Sequence, residues 1–298
     1  MFFEVEPREY HSAIVDVTDR CNLRCQHCYY YREEHESQEL SKEELLDGIR
    51  LLRDRHHIQH MSWAGGEPLL RRDVIEEGAE LFPRNVLNTN GMFPLPRLSR
   101  TNVYVSIDGP PEIHDQIRGQ GTYERVIQNV REGACDLVIF CSTVNKLNEP
   151  HLDAMIAGLS RLKNTALIFA FFTPLKSYHR VERYPHSETQ RHRMPFTLEE
   201  RDPVIHRVLE LKEKYPGYIL NPSRALELML SENAAACTRN CNMTERSLTL
   251  DVRLNRRLPC VVGSDVDCNL CGCFFPFMTV ASREKDPETL EFFARGIH

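Results

Sequence analysis

Short runs of apolar and β-branched residues recur through the first half of the chain, and helical stripes lie between them. Strands are expected at residues 13–17, 60–64, 85–89, 102–107, 137–144 and 166–172. Ser41 ahead of Glu44 reads as a capping box, and Leu45, Ile49 and Leu52 follow at helical spacing. Val126, Ile127 and Val130 form a second stripe, and Leu152, Met155, Ile156 and Leu159 a third; these are core faces. Six β-α repeats demand a parallel sheet, because parallel neighbours need a crossover and crossovers turn right-handed. The pattern alone does not separate an open doubly wound sheet from a curved barrel. In a barrel the chemistry gathers at the C-terminal ends of the strands.

The segment after the first expected strand carries Cys21, Cys25 and Cys28. Thiolates are the usual protein ligands of iron–sulfur clusters. Three of them would hold three irons of a [4Fe–4S] cluster and leave the fourth open to a substrate or cosubstrate. His27, between the second and third cysteines, keeps a zinc site of three cysteines and one histidine open. Zinc ligands usually come as two close pairs in separated halves, which favours the cluster.

Further motifs stand in order behind these cysteines: Trp63-Ala-Gly-Gly-Glu-Pro-Leu-Leu70, Asn88-Thr-Asn-Gly91, Val105-Ser-Ile-Asp-Gly-Pro110 and His114-Asp-Gln-Ile-Arg-Gly119. Together they resemble the signature of the radical S-adenosylmethionine (SAM) enzymes, over about residues 12–175. The resemblance implies an α/β fold, a partial (β/α)6 TIM-like barrel with a small cysteine-rich C-terminal auxiliary-cluster domain. It implies reductive cleavage of SAM at the [4Fe–4S] cluster and hydrogen abstraction from a substrate by the 5′-deoxyadenosyl radical. A flavodoxin or ferredoxin would donate the electron. Gly65 and Gly66 would let the backbone approach SAM, and Glu67 would orient that loop or accept a hydrogen bond. Ser106 and Arg118 would hold the SAM carboxylate, for which the planar guanidinium is suited; the alternative for Arg118 is a structural ion pair with Asp108 or Asp115. Asp108-Gly109 would serve mainly as a turn. His27 would shield the cluster, contact adenine, or be an ordinary polar loop residue. Trp63 reads as core.

Six more cysteines, Cys237, Cys241, Cys260, Cys268, Cys271 and Cys273, lie within thirty-seven residues. In a reducing compartment such density points to metal and away from disulfides. The tail resembles the auxiliary-cluster domains called SPASM and Twitch. One auxiliary [4Fe–4S] cluster is expected on Cys241, Cys260, Cys268 and Cys271, with Cys237 and Cys273 as substitutes; a closed zinc site is the alternative. Residues 248–260 read as a β-hairpin that delivers Cys260. Asn255 replaces a glycine of the family pattern there and is expected to take the left-handed turn. Cys135 and Cys141 read as buried small hydrophobes.

The expected organisation is a radical SAM core over 1–200, a helical connector over 201–236 and the cysteine-rich domain over 237–298. Within the core, residues 173–200 read as a connector that helps cover the site, and Thr197 starts the next helix. Tyr178, His179, Arg180 and His186 are candidate substrate contacts by location alone, and no residue stands out as a general base. Only twenty residues precede Cys21, so no N-terminal peptide-recognition domain is expected. That favours a small-molecule or lipid-precursor substrate over a peptide. A non-enzymatic metal-stabilised binding module is the third reading, against which the two glycines and the Ser106/Arg118 spacing speak.

With 298 residues and a net charge of −6, the chain offers phosphate backbones no general attraction, so no nucleic-acid partner is expected. No apolar stretch has membrane-spanning length and no signal peptide is visible; a cytoplasmic location is expected.

Overall fold

A computed structural model of the chain describes residues 9–32, 38–178 and 184–296. Six strands form where periodicity puts them, each within one residue of the expected bounds: β1 (Ser12–Asp16), β2 (His60–Ala64), β3 (Arg84–Thr89), β4 (Thr101–Ser106), β5 (Val138–Val144) and β6 (Thr165–Phe171). They pair in parallel in sequence order, as an open partial barrel. Helices α1 (Lys42–His56), α2 (Arg72–Ala79), α3 (Pro111–Arg118), α4 (Thr122–Glu132) and α5 (Leu152–Leu159) return the chain between strands. The capping box on α1 forms: the Ser41 hydroxyl accepts from the Glu44 amide at 3.2 Å, and the Glu44 carboxylate accepts from the Ser41 amide at 2.9 Å. Trp63 is fully buried core, its ring lying over Gly78, where a Cβ would stand 2.3 Å away.

Beyond the barrel follow α6 (Ser187–His192), α7 (Leu198–Lys214), α8 (Ser223–Glu227), α9 (Ser231–Arg239) and α10 (Met243–Arg246), then α11 (Phe275–Arg283) and α12 (Pro287–Ala294) after the cysteine-rich stretch. The capping box on α7 forms at Thr197 and Glu200. Residue 237 lies inside α9, and α8 and α9 pack against α7 and α11.

A seventh strand departs from the expected hairpin. Ser247–Leu250, β7, pairs in parallel with β1, Ser12 opposite Ser247, and extends the sheet to the order β6-β5-β4-β3-β2-β1-β7. All four of its residues are buried, so the β1 edge satisfies its backbone and covers its side chains. The arm returning towards Cys260 makes a single bridge, Leu250 with Arg256. The turn between them also differs from expectation. Leu254, not Asn255, takes the left-handed conformation, at φ 61°. The Asp251 carboxylate organises the turn by accepting from the amides of Arg253 and Asn255, each at 2.8 Å, and from the Asn255 side chain at 3.0 Å.

The tail also reaches the opposite edge of the sheet. The Phe171 amide at the end of β6 donates to the Gly272 carbonyl at 2.8 Å, and the Gly272 amide donates to the Thr173 hydroxyl at 2.8 Å. A Cβ on Gly272 would stand 1.9 Å from the Phe171 carbonyl oxygen, so only glycine permits this approach. Among the described residues no helix is long and apolar enough to cross a membrane.

Candidate active site

The cysteine loop leaves the end of β1 and is laced to the end of β2. The Val17 amide donates to the Ala64 carbonyl at 3.0 Å; the Gly66 and Glu67 amides donate to the Thr18 and Arg20 carbonyls, both at 2.8 Å. Gly65 has φ 123°, and a Cβ there would stand 2.5 Å from the Thr18 oxygen; one on Gly66 would stand 2.2 Å from the Arg20 oxygen. The two glycines, expected to make room for a cosubstrate, therefore also let the turn lie flat on the stem of the cysteine loop.

Glu67 is buried, and its carboxylate ties three pieces of backbone together. It accepts from the Thr89 hydroxyl at 2.7 Å, the Asn90 amide at 2.8 Å and the Leu69 amide at 3.0 Å. Burial raises its pKa, and these donors work against that rise. Asn90, at the end of β3, donates to the Asn22 side-chain oxygen at 2.9 Å and lies 3.7 Å from the Cys21 sulfur. The ends of three successive strands thus converge on the cysteine loop.

A buried charge network backs the loop from β4. Asp108 is fully buried; its Oδ2 accepts from Arg118 Nε at 2.5 Å and lies 2.7 Å from His27 Nε2, while its Oδ1 accepts from the Thr143 amide at 2.9 Å. Arg118 Nη1 reaches the Cys25 sulfur at 3.8 Å, and Nη2 lies 3.4 Å from His27 Nε2. Burial works to raise the Asp108 pKa, but the Arg118 and His27 charges overcome it and hold the carboxyl well below the usual range. Burial pushes the Cys25 thiol up to about 12, with Arg118 opposing the rise. Arg118 thus makes the Asp108 ion pair that the sequence left as its alternative, and it does so against a cysteine. Its hydrogen bonds go to Asp108 and Cys25, with His27 close by; Ser106 is half-buried at the end of β4. Asp108, expected mainly as a turn residue and as one alternative partner of Arg118, makes that pair; the part the sequence did not show is His27 on the same oxygen. The signal for the pair was an aspartate ten positions before Arg118, at a strand end.

The donor set decides what these residues suit. Cys21, Cys25 and Cys28 lie within electrostatic reach of one another on one loop. A lone zinc ion needs four donors at about 2.3 Å from one point; among the described residues no three His, Cys, Asp or Glu side chains converge in that way. His27, the fourth donor of the zinc alternative, turns Nε2 to Asp108, and its buried Nδ1 finds no partner among the described residues. A cluster takes one thiolate per iron, so spread thiols fit it better than a single ion.

Part of the 173–200 connector lies on this loop. The Tyr184 hydroxyl donates to the Cys25 carbonyl, and the Gln190 side chain donates to the Cys28 carbonyl at 3.2 Å. Tyr178 is buried against Leu175 and Tyr184, and His186 stacks edge-on to Tyr184. His179 and Arg180 lie outside the described residues.

Of the C-terminal cysteines, Cys241, Cys260, Cys268, Cys271 and Cys273 share one electrostatic neighbourhood. Cys237 stands apart, packed into the hydrophobic core from α9, with Glu284 and Arg224 as its charged neighbours. Cys135 and Cys141 are half-buried in the fold.

Residues 15–156 match the family model described as Radical SAM superfamily. The protein named "Probable GTP 3′,8-cyclase" from Methanocella arvoryzae is 25% identical over 284 residues, covering 89% of this chain and 86% of that protein. "Fe-coproporphyrin III synthase" from Methanosarcina barkeri is 30% identical over 230 residues, 70% of this chain and 54% of that one. "Sporulation killing factor maturation protein SkfB" from Bacillus subtilis is 26% identical over 158 residues, 49% and 38% of the two. The Methanocella protein apart, the chain spans about half the length or less of these curated relatives. The solved structure "Native anSMEcpe with bound AdoMet" superposes with a TM-score of 0.61 at 18% identity, over 94% of this chain and 82% of that one. Streptococcus suis SuiB bound to S-adenosylmethionine gives 0.59 at 12% identity, over 82% and 59%. At such identities these two share the fold.

Proposed function

We propose that the chain is an enzyme of the radical SAM superfamily, a reading supported by the family-model match over residues 15–156, and that Cys21, Cys25 and Cys28 hold a [4Fe–4S] cluster at which SAM is cleaved. The observation that carries this reading is the convergence of three strand ends and one buried arginine on a loop with three thiols. When bound, the cluster supplies the electron that splits SAM to methionine and the 5′-deoxyadenosyl radical, which takes hydrogen from the substrate. The chain's own residues supply position and shielding. Glu67 and Asn90 fix the loop, Gly65 and Gly66 keep the strand end flat, and Ser106 faces the carboxylate of SAM, which Arg118 would reach only by giving up its contact with Cys25 or His27. Tyr184 and Gln190 cover the loop from outside and keep water off it.

Residues 237–298 act in this reading as a Twitch- or SPASM-like domain with an auxiliary [4Fe–4S] cluster on Cys241, Cys260, Cys268 and Cys271, with Cys273 beside them. Cys237 is the least suited of the six, since it packs in the core. The substrate is a small molecule, a reading supported by similarity to the Methanocella protein along most of both chains. A peptide substrate is the second reading, favoured by the similarity to SkfB. A flavodoxin or ferredoxin supplies the electron. Eleven free cysteines suit the reducing cytoplasm.

The test is anaerobic reconstitution with iron and sulfide, then dithionite and SAM. The protein turns brown and releases 5′-deoxyadenosine, and Cys25→Ala abolishes the release; retained release in that variant refutes the assignment. Acceleration by a peptide encoded nearby in the genome, and not by small metabolites, would favour the second reading.

A further inference from the structure

Among the described residues Arg201 is the largest charged side chain wholly removed from solvent. It sits in the first turns of α7, beneath the cysteine-rich tail. Its Nη1 donates to the Cys271 carbonyl at 2.9 Å and its Nη2 to the Leu270 carbonyl at 3.0 Å, while its guanidinium lies 5.3 Å from the centre of the Phe171 ring. Nε is buried and finds no hydrogen-bond partner among the described residues. Among the described residues no carboxylate lies within ion-pair distance of it. The neighbouring Asp202 is committed to Ser231, whose amide and hydroxyl both donate to it. Burial lowers the Arg201 pKa to about 10, which leaves the group a cation at neutral pH.

A buried cation without a counter-ion costs several kcal/mol, and an apolar side chain of similar volume would avoid that cost. The Asp202 charge offsets part of that cost through space, and an anion beside the Leu270–Cys271 clamp would offset the rest. The Cys271 thiol is the first group whose charge acts favourably on Arg201, and Cys271 shares its surroundings with Cys241, Cys260 and Cys268. Four thiolates around a [4Fe–4S] core carry net negative charge. The backbone clamp and the Gly272 contact with β6 hold that segment at a fixed distance from the guanidinium.

We propose that Arg201 is a positioning residue for the C-terminal cluster, clamping the Leu270–Cys271 backbone and supplying the built-in counter-charge that raises its reduction potential. This rests on the auxiliary-cluster reading above. A fixed positive charge favours the more negative, reduced state, so removing it moves the potential downward.

The full chain carrying Cys21→Ala, Cys25→Ala and Cys28→Ala isolates the C-terminal site. It is reconstituted with iron and sulfide, and two quantities are read: the potential, by EPR-monitored titration, and the rate of iron loss to a chelator. Arg201→Gln keeps a donor but removes the charge; Arg201→Lys keeps the charge but loses the fork. The expected result is a more negative potential and roughly tenfold faster iron loss in Arg201→Gln, with Arg201→Lys close to the parent in potential. A potential unchanged in Arg201→Gln overturns the role of Arg201 while leaving the auxiliary cluster in place. Equal shifts in both variants overturn it too, since charge would then not be the cause. If the parent binds no iron, the auxiliary-cluster reading fails and the inference falls with it. Should Arg201→Gln not accumulate, Arg201→Met, which fills the same volume, serves as the neutral variant under the same criteria.

Discussion

Asp108→Asn tests how much the structure depends on the buried network behind the cysteine loop. Asp108 is fully buried and Arg118 nearly so, with 2.5 Å between their nearest polar atoms. For charge centres about 4 Å apart at an effective dielectric of about 20, the attraction is roughly 4 kcal/mol. Removing one partner of a buried pair costs about 3–5 kcal/mol, because the other charge is left uncompensated. Asparagine keeps an oxygen for the Thr143 amide but turns an amino group towards Arg118 and His27, where donors already crowd. Urea unfolding of the metal-free protein at neutral pH should therefore show a loss of several kcal/mol. A loss under about 1 kcal/mol, the range of a surface pair, would refute the reasoning. The pH dependence gives a second check. The Asp108 pKa lies lower folded than unfolded. Its contribution is therefore complete above the unfolded value near ~4 and is lost only as pH falls through the folded value. The difference between wild type and Asp108→Asn should not shrink from pH 8 to pH 5, and any protonation of the neighbouring His27 would widen it; a difference that shrinks by pH 5 contradicts the assignment.

Gly66→Ala would drive a Cβ to 2.2 Å from the Arg20 oxygen, a backbone atom that cannot rotate away. Strain of roughly 1–3 kcal/mol and a drop in iron bound after reconstitution are expected, and unaltered melting and iron content would count against the lacing of loop to turn. Gly272→Ala, at 1.9 Å from the Phe171 oxygen, should displace the Cys271 and Cys273 segment and lower iron content while SAM cleavage persists at some level; full iron retention would argue otherwise. Glu67→Gln trades an acceptor for a donor where the Asn90 amide needs one, so a stability loss of about 1–3 kcal/mol is expected in thermal melts. Finding that variant as stable as the parent would mean Glu67 is not the tie described.

The strands of the barrel were legible because each buries both faces and so reads as a compact apolar run between helical stripes. The capping boxes at Ser41 and Thr197 were legible for a local reason too, since both partners lie three residues apart. β7 was not: its pairing with β1 joins residues at opposite ends of the chain, and nothing in Ser247–Leu250 names its partner. Asp108 was legible as an alternative partner of Arg118, but the arrival of His27 from a distant loop on the same carboxylate was not. The left-handed position at Leu254 escaped a residue-by-residue reading because the Asp251 carboxylate, not the propensity of Asn255, sets the turn. At the candidate site the cysteines and the Gly-Gly-Glu turn stood out as motifs, whereas Arg201 was invisible, being one polar residue in the opening turns of an ordinary helix.

The attachment of the cysteine-rich tail to both β1 and β6 has a consequence for biosynthesis. During translation the six barrel strands are made first; residues 218–221 then bond the β6 flank, whereas the β1 flank stays open until β7 emerges. That open flank is a site for misassociation between nascent chains.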